Sequence, residues 1–133
     1  MKPRVLLIED ELFILDLYRH ILSTHDFEVI TAESGQAATE TINKNLEEGE
    51  KINLIILDIV LPDTNGVDIL KQLKSNQATK DIPVVLLTNL RQENIIQQSF
   101  KDGAAGYILK SQITPQEIIE YIKTLIAKEE KAV

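Results

Sequence analysis

Apolar residues in this chain fall into two alternating kinds of segment. Val5-Leu6-Leu7-Ile8 is an unbroken run of β-type residues, too short for a helix and stopped abruptly by Glu9-Asp10-Glu11. A strand buried on both faces is predicted. Next, Ile14, Leu17, Tyr18, Ile21 and Leu22 recur at the spacing of one helix face, which predicts a helix over about 11–25. Phe27 to Ala32 reads as a second strand. Ser34-Gly35 opens a helix whose Ala38, Ile42 and Leu46 share a face, and the polar stretch Asn43 to Lys51 reads as its end plus a loop. The third run, Ile52 to Leu57, stops at Asp58. Pro62-Asp63-Thr64-Asn65-Gly66 then supplies dense turn chemistry before a helix carrying Ile69, Leu70 and Leu73. Ile82 to Leu87 is the fourth run, ending at Thr88 and followed by a helix near 92–102 that Gly103 is placed to terminate. Tyr107-Ile108-Leu109 is the fifth, ending at Lys110. In the last helix, from about 115 to 128, Thr114 serves as cap, Pro115 as first residue and Glu117 as the partner in a capping box. Its buried face is expected to hold Ile118, Tyr121, Ile122, Leu125 and Ile126.

Five short apolar strands alternating with five helices predict a parallel sheet covered on both sides, a doubly wound (βα)5 three-layer α/β domain. A five-stranded sheet of this size most often runs 2-1-3-4-5, with its working crevice at the carboxyl ends of the strands. The 133 residues suit one domain, assigned to 1–128, with 129–133 as a charged tail. A hydrophobic content of 44% with 26% charged residues supports a folded core. The 21 acidic against 14 basic residues, a net −7, oppose direct binding to nucleic acid or to an anionic membrane. Zero cysteines exclude disulfides and thiolate chemistry. No apolar run approaches the ~20 residues of a spanning helix and no signal-peptide core opens the chain, so a cytoplasmic protein is expected.

The predicted strand ends carry a nonrandom set of groups: Glu9 and Asp10 after the first, Asp58 after the third, Thr88 after the fourth and Lys110 after the fifth. All should meet in one crevice. Three gathered carboxylates repel one another unless protonated or joined by a cation, and hard oxygen ligands suit Mg2+. A lysine and a hydroxyl opposite them suit phosphate, and a carboxylate can serve as nucleophile in phosphoryl transfer. Taken singly, Asp10 could cap a helix, Thr88 end a strand and Lys110 stand in solvent. Their joint placement argues otherwise, and a charge ending the most apolar run, at Asp58, calls for a reason. His20 and His25 lie five apart, off the metal spacing on a helix, and read as surface or packing residues.

These motifs resemble the receiver domains of bacterial two-component response regulators, flavodoxin-like in fold and similar to chemotaxis regulators. The resemblance rests on Val5 to Glu11, on Leu57-Asp58-Ile59-Val60-Leu61-Pro62 with Gly66, on Leu87-Thr88, and on Gly103 to Lys110. It implies that Asp58 accepts a phosphoryl group from a sensor histidine kinase or a histidine phosphotransfer protein. It implies Mg2+ on Asp10, Asp58 and the Val60 carbonyl, with Glu9 acting through water, and phosphoryl contacts from Thr88 and Lys110. Thr88 and Tyr107 would form a switch acting on the surface of the fourth helix, fifth strand and fifth helix. The only chemistry implied is Mg2+-dependent phosphorylation and dephosphorylation of the domain itself, so it is not otherwise an enzyme. The output partner would be a downstream protein or a fused output domain, and a phosphorylation-dependent dimer is compatible with the pattern. The chain reads as a stand-alone receiver or as a piece of a longer regulator or hybrid kinase.

Three positions depart from the family pattern: Ser111 where proline usually follows the lysine, Asn89 where a small residue commonly follows the hydroxyl, and Leu90. A cis bond before serine costs about 2.5–4 kcal/mol, so the Lys110-Ser111 peptide is expected to be trans. An aspartate-nucleophile phosphatase or dehalogenase would need a second aspartate two residues after Asp10, where Leu12 stands. A flavodoxin-like electron carrier would want a phosphate-binding loop where this chain has three acids. A receiver acting only as an unphosphorylated scaffold would not need Asp10, Asp58, Thr88 and Lys110 together.

Overall fold

A computed structural model describes residues 2–89, 93–111 and 114–131. Five strands, β1 (Arg4–Ile8), β2 (Glu28–Ala32), β3 (Leu54–Asp58), β4 (Val84–Thr88) and β5 (Gly106–Leu109), alternate with five helices. The helices are α1 (Leu12–Ser23), α2 (Gly35–Glu47), α3 (Gly66–Ser75), α4 (Glu93–Lys101) and α5 (Pro115–Lys131). All strand pairs are parallel and the sheet order is β2-β1-β3-β4-β5, as expected from the number and length of the strands.

Strand side chains alternate between two cores. Val5, Leu7, Leu54, Ile56, Val85, Leu87 and Ile108 face α1 and α5. Leu6, Ile8, Ile55, Leu57, Val84 and Leu86 face α2, α3 and the edge of α4. Because every central strand is buried on both sides, its sequence is continuously apolar rather than alternating.

The helix ends follow local chemistry. The Ser34 hydroxyl accepts from the Ala37 N–H at 3.0 Å, and Asn65 Oδ1 accepts from the Val67 N–H at 2.8 Å. The predicted capping box of α5 is formed: Glu117 N–H donates to Thr114 Oγ1 at 3.2 Å, and Thr114 N–H donates to Glu117 Oε1 at 3.3 Å. After α4, Gly103 takes a left-handed φ of 105° and its N–H donates to the Phe100 carbonyl at 3.1 Å.

Several helix faces differ from the expected ones. In α1, Leu15 is buried while Leu17 is 40% exposed, because the two stand about 200° apart around the helix and only one can face the sheet. In α2, Leu46 is 41% exposed and Asn45 takes the inner position, its amide donating to the Thr41 carbonyl and accepting from Arg4. In α5, Ile119 joins the core and Tyr121 and Leu125 are only partly buried. That helix also runs on to Lys131, past the expected end near 128, since Lys128 to Lys131 contain no breaker and consist of good helix formers. His25 lies beyond the end of α1, with its Nδ1 2.7 Å from the Ile21 carbonyl, so the two histidines do not share a helix.

Candidate functional site

The site forms where β1, β3, β4 and β5 end together. Asp58 pairs with Leu87, and Thr88 pairs with Leu109, so these strands reach nearly the same level. Glu9, Asp58 and Lys110 each continue the alternation that points Val5 and Leu7, Leu54 and Ile56, and Ile108 toward α1 and α5. Their side chains therefore converge.

Lys110 sits at the centre, its side chain only 5% exposed. Its Nζ lies 2.7 Å from Glu9 Oε1, 3.0 Å from Asp58 Oδ2 and 3.1 Å from Glu11 Oε1. Its backbone N–H donates to the Thr88 carbonyl at 2.8 Å, fixing the lysine against β4. Asp58 is buried, and its Oδ1 accepts from the Val60 N–H at 3.2 Å. Glu9 is fully buried, and its Oε2 accepts from the Glu11 N–H at 3.0 Å. Among the described residues its Oε1 has no well-directed hydrogen bond beyond the contact with the Lys110 ammonium. Thr88 is buried at the end of β4.

Electrostatics show a crowded acidic pocket. Burial pushes the Glu9 carboxyl up to about 7, and the neighbouring Asp58 carboxylate adds to the effect, more than Lys110 and the Glu11 amide offset. Burial lowers the affinity of the Lys110 ammonium for its proton, but hydrogen bonds to Glu9 and Asp58 outweigh it, so its pKa is raised. Carboxylate oxygens of Glu9, Asp10 and Asp58 all lie within 4.8 Å of one another. With Glu11, four carboxylates stand around the Lys110 ammonium among the described residues. A hard divalent cation fits this donor set, since it would relieve the carboxylate repulsion that adds to burial at Glu9.

The β3–α3 loop completes the rim. Val60 is 62% exposed and bridges Asn65 in an isolated antiparallel pair. Gly66 is required there, since a Cβ would fall inside contact distance of the Asp58 carbonyl oxygen. On β5, Tyr107 is 39% exposed and meets Phe100 edge to face, with ring centroids 6.2 Å apart.

Two residues near the site are not among those the sequence assigns to it. Glu11 reaches Lys110 from beyond the acidic pair, and its place in the run Glu9-Asp10-Glu11 was the available signal. Tyr18 of α1 is buried with a hydroxyl that has no partner among the described residues, and burial, with Glu9 adding, pushes that phenol up to about 12 against the pull of Lys110. It reads in sequence as one more apolar position of the helix. Among the departures, Asn89 is exposed and the Lys110-Ser111 bond is trans, while Leu90 lies outside the described residues.

A family model of the response regulator receiver domain matches residues 5–123. The chain belongs to that family. As a receiver domain it is a phosphoaccepting switch of two-component signalling. The phosphate regulon transcriptional regulatory protein PhoB of Escherichia coli K12 is 32% identical over 128 residues, covering 96% of this chain and 53% of PhoB. The chain thus spans about half the length of that relative. The response regulator receiver domain protein of Methanospirillum hungatei, described as CheY-like, superposes with a TM-score of 0.88 at 27% identity, covering 100% of both chains. The Mn2+-bound form of response regulator Rcp1 superposes with a TM-score of 0.74 at 29% identity, covering 97% of this chain and 90% of that one.

Proposed function

We propose that Asp58 is the phosphoacceptor and that Asp10, Asp58 and the Val60 carbonyl hold Mg2+, with Glu9 acting through water. The observation that carries this reading is the buried Asp58 carboxylate 3.0 Å from a lysine that three carboxylates share. An Asp58 oxygen attacks the phosphorus of a phosphohistidine on a sensor kinase or phosphotransfer protein. The O–P bond forms, the P–N bond breaks, and the leaving imidazole nitrogen keeps its electron pair. The bound Mg2+ would supply charge neutralisation at the oxygens of the transferring group. That the structurally similar response regulator Rcp1 has an Mn2+-bound form supports a divalent cation as ligand.

Lys110 exchanges part of its contact with Asp58 and Glu9 for a phosphoryl oxygen, and the Thr88 hydroxyl takes another. Water attack on phosphorus later returns the carboxylate and inorganic phosphate. Signal leaves through the α4-β5-α5 face, where Tyr107 moves inward behind Thr88, and reaches a downstream protein or a fused output domain. No helix of the described residues is long and apolar enough to cross a membrane.

Incubation with acetyl phosphate and Mg2+, followed by mass spectrometry, should show one added phosphoryl group located on Asp58. Asp58→Asn should abolish the incorporation. Unchanged incorporation in that variant would overturn the assignment.

A further inference from the structure

The loop that carries Val60 is fastened at its far end to a different element. Gly66 N–H donates to the Ile59 carbonyl at 2.7 Å and Leu61 N–H to the Thr64 carbonyl at 3.2 Å, so residues 59–66 fold back as a narrow ribbon. Asp63 stands at its tip beside Pro62. Its carboxylate accepts two backbone hydrogen bonds from the first turn of α2, from Gly35 N–H to Oδ1 at 2.8 Å and from Gln36 N–H to Oδ2 at 2.9 Å. These amides, Gly35 first, hold the Asp63 carboxyl below its ordinary range. The approach is close enough to need glycine, since a Cβ on Gly35 would lie 2.5 Å from Thr64 Cγ2. The ribbon is thus pinned at its base, where Gly66 packs on the Asp58 carbonyl, and at its tip, where Asp63 grips α2.

We propose that Asp63 is a positioning residue for the divalent-cation site: by clamping the ribbon tip to α2 it fixes the Val60 backbone, and with it the carbonyl assigned as a ligand. The inference rests on the cation site proposed above for Asp10, Asp58 and Val60. A ligating carbonyl on a loosely held loop must be ordered when the ion binds, and that ordering is subtracted from affinity. Groups that orient metal ligands typically change affinity by about 10–100-fold when removed. Because the Asp63 clamp acts through three residues of backbone, the lower end of that range applies.

The competing role is a helix cap and nothing more, and Ser34 provides the control, since its hydroxyl caps the same first turn by accepting from the Ala37 N–H. Mg2+ binding is measured by calorimetric titration of the full chain, beside thermal melts of the metal-free protein, for wild type, Ser34→Ala, Asp63→Ala and Asp63→Asn. Ser34→Ala should lower the melting temperature and leave the Mg2+ dissociation constant unchanged. Asp63→Ala should weaken Mg2+ binding about tenfold. Asp63→Asn, which keeps one acceptor oxygen and guards against a misfolded alanine variant, should fall between. Unchanged Mg2+ affinity in both Asp63 variants, or equal weakening in Ser34→Ala, would reduce Asp63 to a cap and overturn the proposal. Absence of Mg2+ binding in the wild type would overturn the cation site itself, a separate outcome.

Discussion

Glu9 is the residue whose surroundings conflict most with its charge. Asp10 and Asp58 bring carboxylate oxygens within 4.8 Å of its own, the Lys110 ammonium lies 2.7 Å from it, and the Tyr18 phenol lies nearby in the core. Its carboxyl titrates near 7 in the folded chain against an ordinary value of 4.5, so between these values the native state holds a proton that the unfolded chain has lost. The stability contribution is fully present below about 4.5 and is lost as pH rises through about 7. The metal-free protein should therefore melt at a lower temperature at about pH 8 than at about pH 5.5 as far as Glu9 contributes, and Glu9→Gln should flatten that slope. Added Mg2+ should oppose the trend, raising the wild-type melting temperature more at the higher pH, where the Glu9 carboxyl has lost its proton. A wild-type slope that survives Glu9→Gln intact would place the titration elsewhere. At this scale the sequence was informative wherever a charge directly ended an apolar run, as Glu9, Asp58 and Lys110 do. Asp63 could not be read that way, because its partners stand 28 and 27 residues earlier and the contact exists only after folding.

Among the elements, legibility followed how one-sided each segment is. The capping box of α5 is written in three adjacent positions and formed as expected, whereas α1 is apolar nearly all round, with Leu12, Phe13, Ile14, Leu15 and Leu17, so spacing alone admits two faces. Only packing against the sheet chooses Leu15. The exposed Leu46 and buried Asn45 of α2 show the same limit, since Arg4 on β1 supplies the partner that lets an amide face inward. The tightest demand on an element lies at the start of α3. A methyl group on Gly66 would meet the Asp58 carbonyl oxygen and the Ile59 Cα, both backbone, so relief requires moving β3 or the helix. On Gly106 the obstacle is the Tyr121 hydroxyl, the far end of a side chain rather than backbone. Gly66→Ala should cost roughly 3 kcal/mol, the upper end for overpacking, and Gly106→Ala about 1 kcal/mol. Chemical denaturation of the two variants checks the order. Equal losses would mean that the β3–α3 junction yields more easily than its backbone contacts indicate.

For the molecule as a whole, five runs of the right length limited the possible sheets to a few, but strand order came from the habits of such sheets rather than from any residue, and the structure bears it out. That order places β4 and β5 side by side, so Leu86 and Thr88 share a face with their partners Tyr107 and Leu109. Thr88 is buried while the Tyr107 ring stands half out against Phe100 of α4, one register step away. In the proposed coupling, a phosphoryl group on Asp58 draws the Thr88 hydroxyl toward itself, and the vacated space admits the Tyr107 ring. A local contact then biases a two-state surface made of α4, β5 and α5. Beryllofluoride with Mg2+, which mimics the phosphoryl group, should shift amide NMR signals across that whole face in the wild type. In Thr88→Ala the shifts beside Asp58 should persist while those on α4 and near Tyr107 shrink, because the pocket still fills but the link is cut. Tyr107→Ala should leave the pocket shifts unchanged and remove the distant ones, since the moving ring is gone. If Tyr107 only packs against Phe100, wild-type shifts will stay confined to the Asp58 pocket, and the output surface must then be sought on another face of the sheet.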